Sequence, residues 1–147
     1  MNILENAGAN IQINTVSGRP YTQSSQPEAF YGTGFIGAIN GSRKPWYFEV
    51  GMKIDKTVKL FNRLEANIYL RVENLFNTKN VVNVYSYTGD PDDDGFLLSQ
   101  YGQNRVAKII EQGKPIEGFY DMYSWYLQNQ GNYSRPRRLY FGIMFNL

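Results

Sequence analysis

The sequence predicts an all-β chain: an antiparallel transmembrane β-barrel fragment of about four strands with long external loops. Three observations carry that expectation. Segments of about ten residues alternate strictly between apolar and polar side chains, the length that crosses a bilayer as a tilted strand. Aromatic residues are abundant although the chain is mildly polar. The connections between the alternating segments run long, short, long.

Composition sets the frame. The 147 residues include 12 Tyr and 9 Phe, and aromatics make up 16%. Hydrophobic residues are 42% and mean hydropathy is −0.46. No run approaches the roughly 18 apolar residues of a membrane helix. An aromatic-rich but polar chain suits strands in which every apolar residue has a polar neighbour. Cysteine and histidine are both absent. Disulfides, thiol chemistry, the usual catalytic triad and the commonest zinc ligand are therefore excluded, and no enzyme is expected. A net charge of +2 is too small to point to nucleic acid.

The elements follow in order. In 9–17, Ala9, Ile11 and Ile13 share one face and Asn10, Gln12 and Asn14 the other. Gly18, Pro20 and the Ser-, Gln- and Gly-rich sequence that follows make 18–45 a long loop. In 46–55, Trp46, Phe48, Val50, Met52 and Ile54 oppose Tyr47, Glu49, Gly51, Lys53 and Asp55. Residues 56–63 read as a short connection. In 64–74, Leu64, Ala66, Ile68, Leu70 and Val72 oppose Glu65, Asn67, Tyr69, Arg71 and Glu73; a helical period would mix the charges into the apolar stripe. The pattern is lost over 78–135, a second long loop in which 104–112 and 119–128 have the look of short helices. It returns in 137–147, where Leu139, Phe141, Ile143, Phe145 and Leu147 oppose Arg138, Tyr140, Gly142, Met144 and Asn146.

A soluble sheet with one buried face would alternate in the same way. Full charges opposite large apolar residues, and aromatics near strand ends (Trp46, Tyr47, Phe48, Phe76, Phe145), favour a wall between lipid and a polar lumen. Four strands cannot close a barrel, and open edges in lipid cost several kcal/mol per unpaired backbone group. Upstream strands are therefore expected partners. Met1-Asn2-Ile3-Leu4-Glu5 has no features of an export leader, which fits the expectation of a fragment whose start lies upstream.

Several stretches resemble the TonB-dependent outer-membrane receptors. Arg71-Val72-Glu73-Asn74-Leu75-Phe76-Asn77-Thr78-Lys79-Asn80-Val81 is similar to their penultimate strand, with its Asn-Leu-Phe-Asn core. Val84 to Gly95 resembles an external loop of the branch that has a carboxypeptidase-regulatory-like N-terminal domain, and Ser17 to Thr22 resembles a strand-to-loop exit. Asn132 to Leu147 resembles the last strand. Tyr140, Gly142, Phe145 and Leu147 fit the polar–Gly–aromatic–hydrophobic signal read by the barrel assembly machinery, with Leu147 where Phe is usual. The resemblance covers most of 9–147. It implies a parent barrel of about 22 strands with a plugged lumen. It also implies a Gram-negative outer-membrane location, a plug domain and TonB energy-coupling protein engaged through a missing N-terminal part, and a small nutrient ligand.

Site candidates are few. Asp90, Asp92 and Asp94 before Gly95 have the spacing of a Ca²⁺-binding turn, but Tyr101 stands where an EF-hand places its bidentate Glu, which favours a solvated acidic loop. Tyr120, Tyr123, Trp125 and Tyr126, with Phe119, could stack on a sugar or ligand ring or pack among loops. Arg135, Arg137 and Arg138 flank Pro136, where they could meet lipid phosphates or snorkel at the interface. Glu49, Lys53, Glu65, Arg71 and Glu73 could contact a plug or pair across strands. Two competing readings are a soluble aromatic-rich β domain that binds carbohydrate and a passive porin.

Overall fold

The alternation resolves into strands. The computed structural model describes residues 5–27, 34–61 and 64–146. In chain order the strands are β1 (Ala7–Val16), β2 (Pro20–Tyr21), β3 (Gln23–Ser24), β4 (Phe35–Ile36), β5 (Ser42–Arg43), β6 (Tyr47–Phe61), β7 (Leu64–Glu73) and β8 (Arg138–Asn146). Two helices, α1 (Gln100–Glu111) and α2 (Glu117–Leu127), lie between β7 and β8. The fold is predominantly β. The chain divides into one unit of residues 1–16, 47–79 and 135–147 and another of 17–46 and 80–134.

The first unit is an antiparallel sheet in the order β1-β6-β7-β8. Its register keeps like with like. Ile11, Met52, Val72 and Leu139 form one row, and Ala9, Ile54, Leu70 and Phe141 the next. Between these apolar rows, and on the opposite face, run Asn10, Lys53, Arg71 and Tyr140. A slip of one residue in any strand would drive polar or charged side chains into the apolar face, so the side-chain pattern fixes the pairing.

That apolar face is open. Ile11 is 66% exposed, Leu139 65% and Phe141 70%. Among the described residues of this unit, the buried hydrophobic side chains are Val50, Ala66 and Val72, all on central strands. A soluble sheet buries such a face against a second layer, and contiguous exposed apolar patches of this kind are rare on soluble monomers. The sheet is also open at its edges: among the described residues β1 pairs only with β6, and β8 only with β7.

Strand limits differ from the sequence reading where local pattern misleads. β6 runs through 56–61, which the sequence assigned to a connection. Lys56 lands on the apolar parity and hides the continuing alternation, and a register shift between Lys59 and Phe61 blurs it further. The extra length serves two offset partners, since β1 covers 47–56 and β7 covers 52–61. Such stagger accompanies strand tilt. β1 begins at Ala7 and ends at Val16, and β8 spans Arg138–Asn146. Leu147, the last position of the assembly signal, lies outside the described residues. Gly142 of that signal has a clear local role. A Cβ there would come within 2.5 Å of the Tyr69 ring, so glycine leaves room for Tyr69 to lie across the strand.

The two long loops are structured. Within 18–45, β2 pairs with β5 and β3 with β4. Within 78–135 stand α1 and α2, near the two short helices expected at 104–112 and 119–128.

The Asn-Leu-Phe-Asn segment ends β7 by a turn. Asn74 and Asn77 both have φ of +53°, a left-handed conformation that Asn tolerates better than most residues. The Asn77 amide donates to the Asn74 carbonyl at 2.9 Å. The Asn74 side chain, 2% exposed, donates to the carbonyls of Thr78 (3.0 Å) and Arg135 (3.1 Å) and accepts from the Thr78 amide at 2.8 Å. The Asn77 side-chain oxygen accepts from the Arg137 amide at 2.9 Å. The motif thus ties the exit of β7 to the entry of β8. Replacing Asn74 with Ala removes three hydrogen bonds to the backbone of Thr78 and Arg135 and strains the left-handed residue, and is expected to cost about 3 kcal/mol. Asn74→Gly restores the backbone freedom but not the bonds and should cost less. Denaturant unfolding of the two variants in detergent micelles checks the order.

Candidate functional site

The polar face of the sheet forms a concavity of about 490 Å³ lined by residues that include Asn10, Gln12, Glu49, Lys53, Arg71 and Glu73. Its charges neutralise one another. Glu73 accepts from Arg71 on its own strand and from Arg138 across the sheet at 2.5 Å. Lys53 lies 3.9 Å from Asp55, and the Asn67 amide donates to Asp55 at 3.2 Å and Thr57 at 3.0 Å. Glu65 pairs with Lys59 at 3.9 Å. Tyr47 donates to Glu49. Aromatic rings sit among the cations: Lys53 is 5.4 Å from the Tyr69 ring, and Arg71 and Arg138 are 5.6 and 5.7 Å from the Tyr140 ring. Arg138–Glu73 and Lys59–Glu65 cross strands, while Lys53–Asp55 and Arg71–Glu73 lie along one strand. The pairs are partly solvated, so each contributes little to stability. Their effect is to hold a polar surface rigid opposite an apolar one.

The second unit contains the other candidates. Asp90, Asp92 and Asp94 do not assemble a calcium site. Among the described residues no group of three or more His, Cys, Asp or Glu side chains is placed to hold a metal ion. The carboxylates are used inside the loop instead. Asp90 accepts from the Asp92 amide at 2.7 Å, and Asp94 accepts from the Phe96 amide at 2.9 Å. Tyr133 donates to Asp92 and Tyr123 to Asp94, which is 4% exposed. Asn132 completes the frame by donating to the Pro91 carbonyl at 2.7 Å. The alternating Asp spacing builds Asx-type turns, the commoner use of such residues in loops.

The aromatic run falls largely on α2. α1 is capped by Ser99, whose hydroxyl accepts from the Gly102 amide at 3.1 Å, and is followed by Gly113 with φ of +65°. α2 carries Glu117 in its first turn, where a carboxylate favours the helix dipole. Tyr123 is half-buried. Its ring centroid lies 5.8 Å from Phe96, 6.1 Å from Phe119 and 6.5 Å from Tyr126. Tyr123 therefore packs the loop, and its hydroxyl is held well above the ordinary phenol range by burial first and then by its bond to Asp94. Tyr120, Trp125 and Tyr126 are different: they are 43%, 79% and 66% exposed. Met122, at 73%, joins them as a residue the sequence did not single out. Tyr133 and Asn132 were also missed, because their partners lie some forty positions away and leave no local pattern.

No protein-family model matches the chain, and neither a curated protein nor a solved structure matches it significantly.

The Tyr133 hydroxyl is pushed up to about 12, chiefly by its bond to the Asp92 carboxylate, with smaller contributions from burial and from the charges of Asp92 and Asp90. A phenol whose folded pKa exceeds the unfolded one supports the fold below pH 10, and that support is lost as pH rises towards 12. Ultraviolet titration of Asp92→Asn should show one tyrosine returning towards the ordinary value of about 10. An unchanged titration curve would contradict the assigned contact.

Proposed function

We propose that this chain forms part of the wall and external loops of an energy-coupled outer-membrane receptor of the TonB-dependent class, which imports a scarce nutrient into a Gram-negative cell. One observation carries the reading: a four-stranded antiparallel sheet presents an in-register, exposed apolar face on one side and a paired, charged face on the other. Lipid against the first face and a polar lumen against the second satisfy both. Strands of nine to fifteen residues suit the span, since about ten residues cross a bilayer when tilted. The two open edges call for further strands, which close a barrel and remove unpaired backbone from lipid.

In this reading the strand ends joined by residues 17–46 and 80–134 face outward, and those residues build part of the vestibule that captures ligand. Tyr120, Trp125 and Tyr126 offer aromatic faces there. The Asn-Leu-Phe-Asn turn marks the outer boundary of the wall. A plug and the energy-coupling protein are the partners that would open the path. The chain's own part is binding and enclosure, not covalent chemistry.

The test uses the intact gene product in its own cell. The protein should fractionate with the outer membrane and be captured by crosslinking to the energy-coupling protein. Recovery in the soluble fraction would overturn the membrane reading in favour of a soluble carbohydrate-binding domain. Outer-membrane recovery without capture would leave the wall but replace the receptor by a passive porin.

A further inference from the structure

The three arginines at the entry of β8 look alike in sequence but are not equivalent in the structure. Arg138 is half-buried on the polar face and bonded to Glu73 at 2.5 Å. Arg135 and Arg137 are exposed, and neither forms an ion pair among the described residues; the Arg137 guanidinium makes one long bond, 3.5 Å, to the Leu75 carbonyl. Arg137 and Arg135 stand two and four positions before Leu139, directly ahead of the first residue of β8, whose Leu139 and Phe141 are 65% and 70% exposed. Their backbones are fixed: the Arg135 carbonyl accepts from Asn74 and the Arg137 amide donates to Asn77. Pro136, between them, restricts the backbone further. Phe76, in the same turn, is 66% exposed.

We propose that Arg135 and Arg137 form a headgroup site for a phosphate-bearing lipid of the outer leaflet. The proposal rests on the membrane reading above. Residues that directly precede the first residue of a membrane-spanning strand lie near headgroup depth, where Trp, Tyr and Phe also collect. Guanidinium groups match phosphate oxygens in pairs and are weakly hydrated, so they suit a half-dry interface better than ammonium groups do. A snorkelling cation serves solvation alone and needs no fixed backbone. Here two asparagine side chains hold the backbone of both arginines in place, which lowers the ordering cost of binding. The occupant is a lipid phosphate and not a free anion, because the turn and the start of β8 also carry exposed Phe76, Leu139 and Phe141, which offer hydrocarbon contact to the same molecule.

The test compares the intact protein, purified from outer membranes in mild detergent, with Arg135→Gln, Arg137→Gln, the double variant and Arg105→Gln on α1 as a control. Retained phosphate-bearing lipid is measured by mass spectrometry, with and without a wash in inorganic phosphate. Loss of about fivefold per guanidinium is expected, and more than tenfold in the double variant. Arg105→Gln should retain the lipid, and the phosphate wash should not displace it. Equal retention by wild type and the double variant would overturn the site while leaving the barrel reading intact. Displacement by inorganic phosphate would mean an anion site of another kind. Absence of the wild-type protein from the outer membrane would overturn the barrel reading, and this site with it.

Discussion

The register of one antiparallel sheet governs the first unit. Pairing Ile54 with Ala9 on one side and Leu70 on the other, then Leu70 with Phe141, lines up four apolar side chains; the next row lines up Asn10, Lys53, Arg71 and Tyr140. Two chemically opposite surfaces result from a single set of backbone bonds. Water suits the charged surface and not the other: among the described residues of this unit the buried hydrophobic side chains are Val50, Ala66 and Val72. The hydrophobic effect would cover such a face with a second layer or with lipid, at roughly 25 cal/mol for each Å² removed from water.

The edges add a second constraint. β1 and β8 leave rows of backbone donors and acceptors that only another strand can satisfy without water. The Asn74 turn and Gly142 are local devices that serve the same sheet. Asn74 makes two side-chain bonds to Thr78 within its own turn and a third to Arg135 at the entry of β8, and Gly142 yields its space to the ring of Tyr69. In the second unit, loop order comes from side chains: the acidic turn is held by Tyr123, Tyr133 and Asn132.

Legibility in the sequence tracked the range of the interaction. Period-two alternation is local, so the four long strands and their faces were readable from Ile11, Met52, Leu70 and Phe141 and their neighbours. The continuation of β6 past Lys56 was not, because a single cation on the apolar parity looks like the end of a strand. The pairing partners that justify it lie on β7. The Asp90, Asp92 and Asp94 spacing suggested convergence on a cation, but which oxygens were free depended on Tyr123 and Tyr133, dozens of residues away. The distinction between Arg138 and its two neighbours likewise depended on Glu73 and on the asparagine turn. Sequence shows which groups are available; distant partners decide which remain so.

In the proposed wall, alternate side chains of the sheet touch hydrocarbon. These 147 residues lack cysteine, and single cysteines can be placed one at a time from 139 to 145 in the intact protein in its membrane, in a background cleared of any other reactive cysteine, and each labelled with a fluorophore. Quenching by a lipid-phase reagent should rise at 139, 141, 143 and 145 and fall at the positions between, while a water-phase quencher should give the inverse. Uniform quenching from water at every position would mean that lipid does not cover the apolar face.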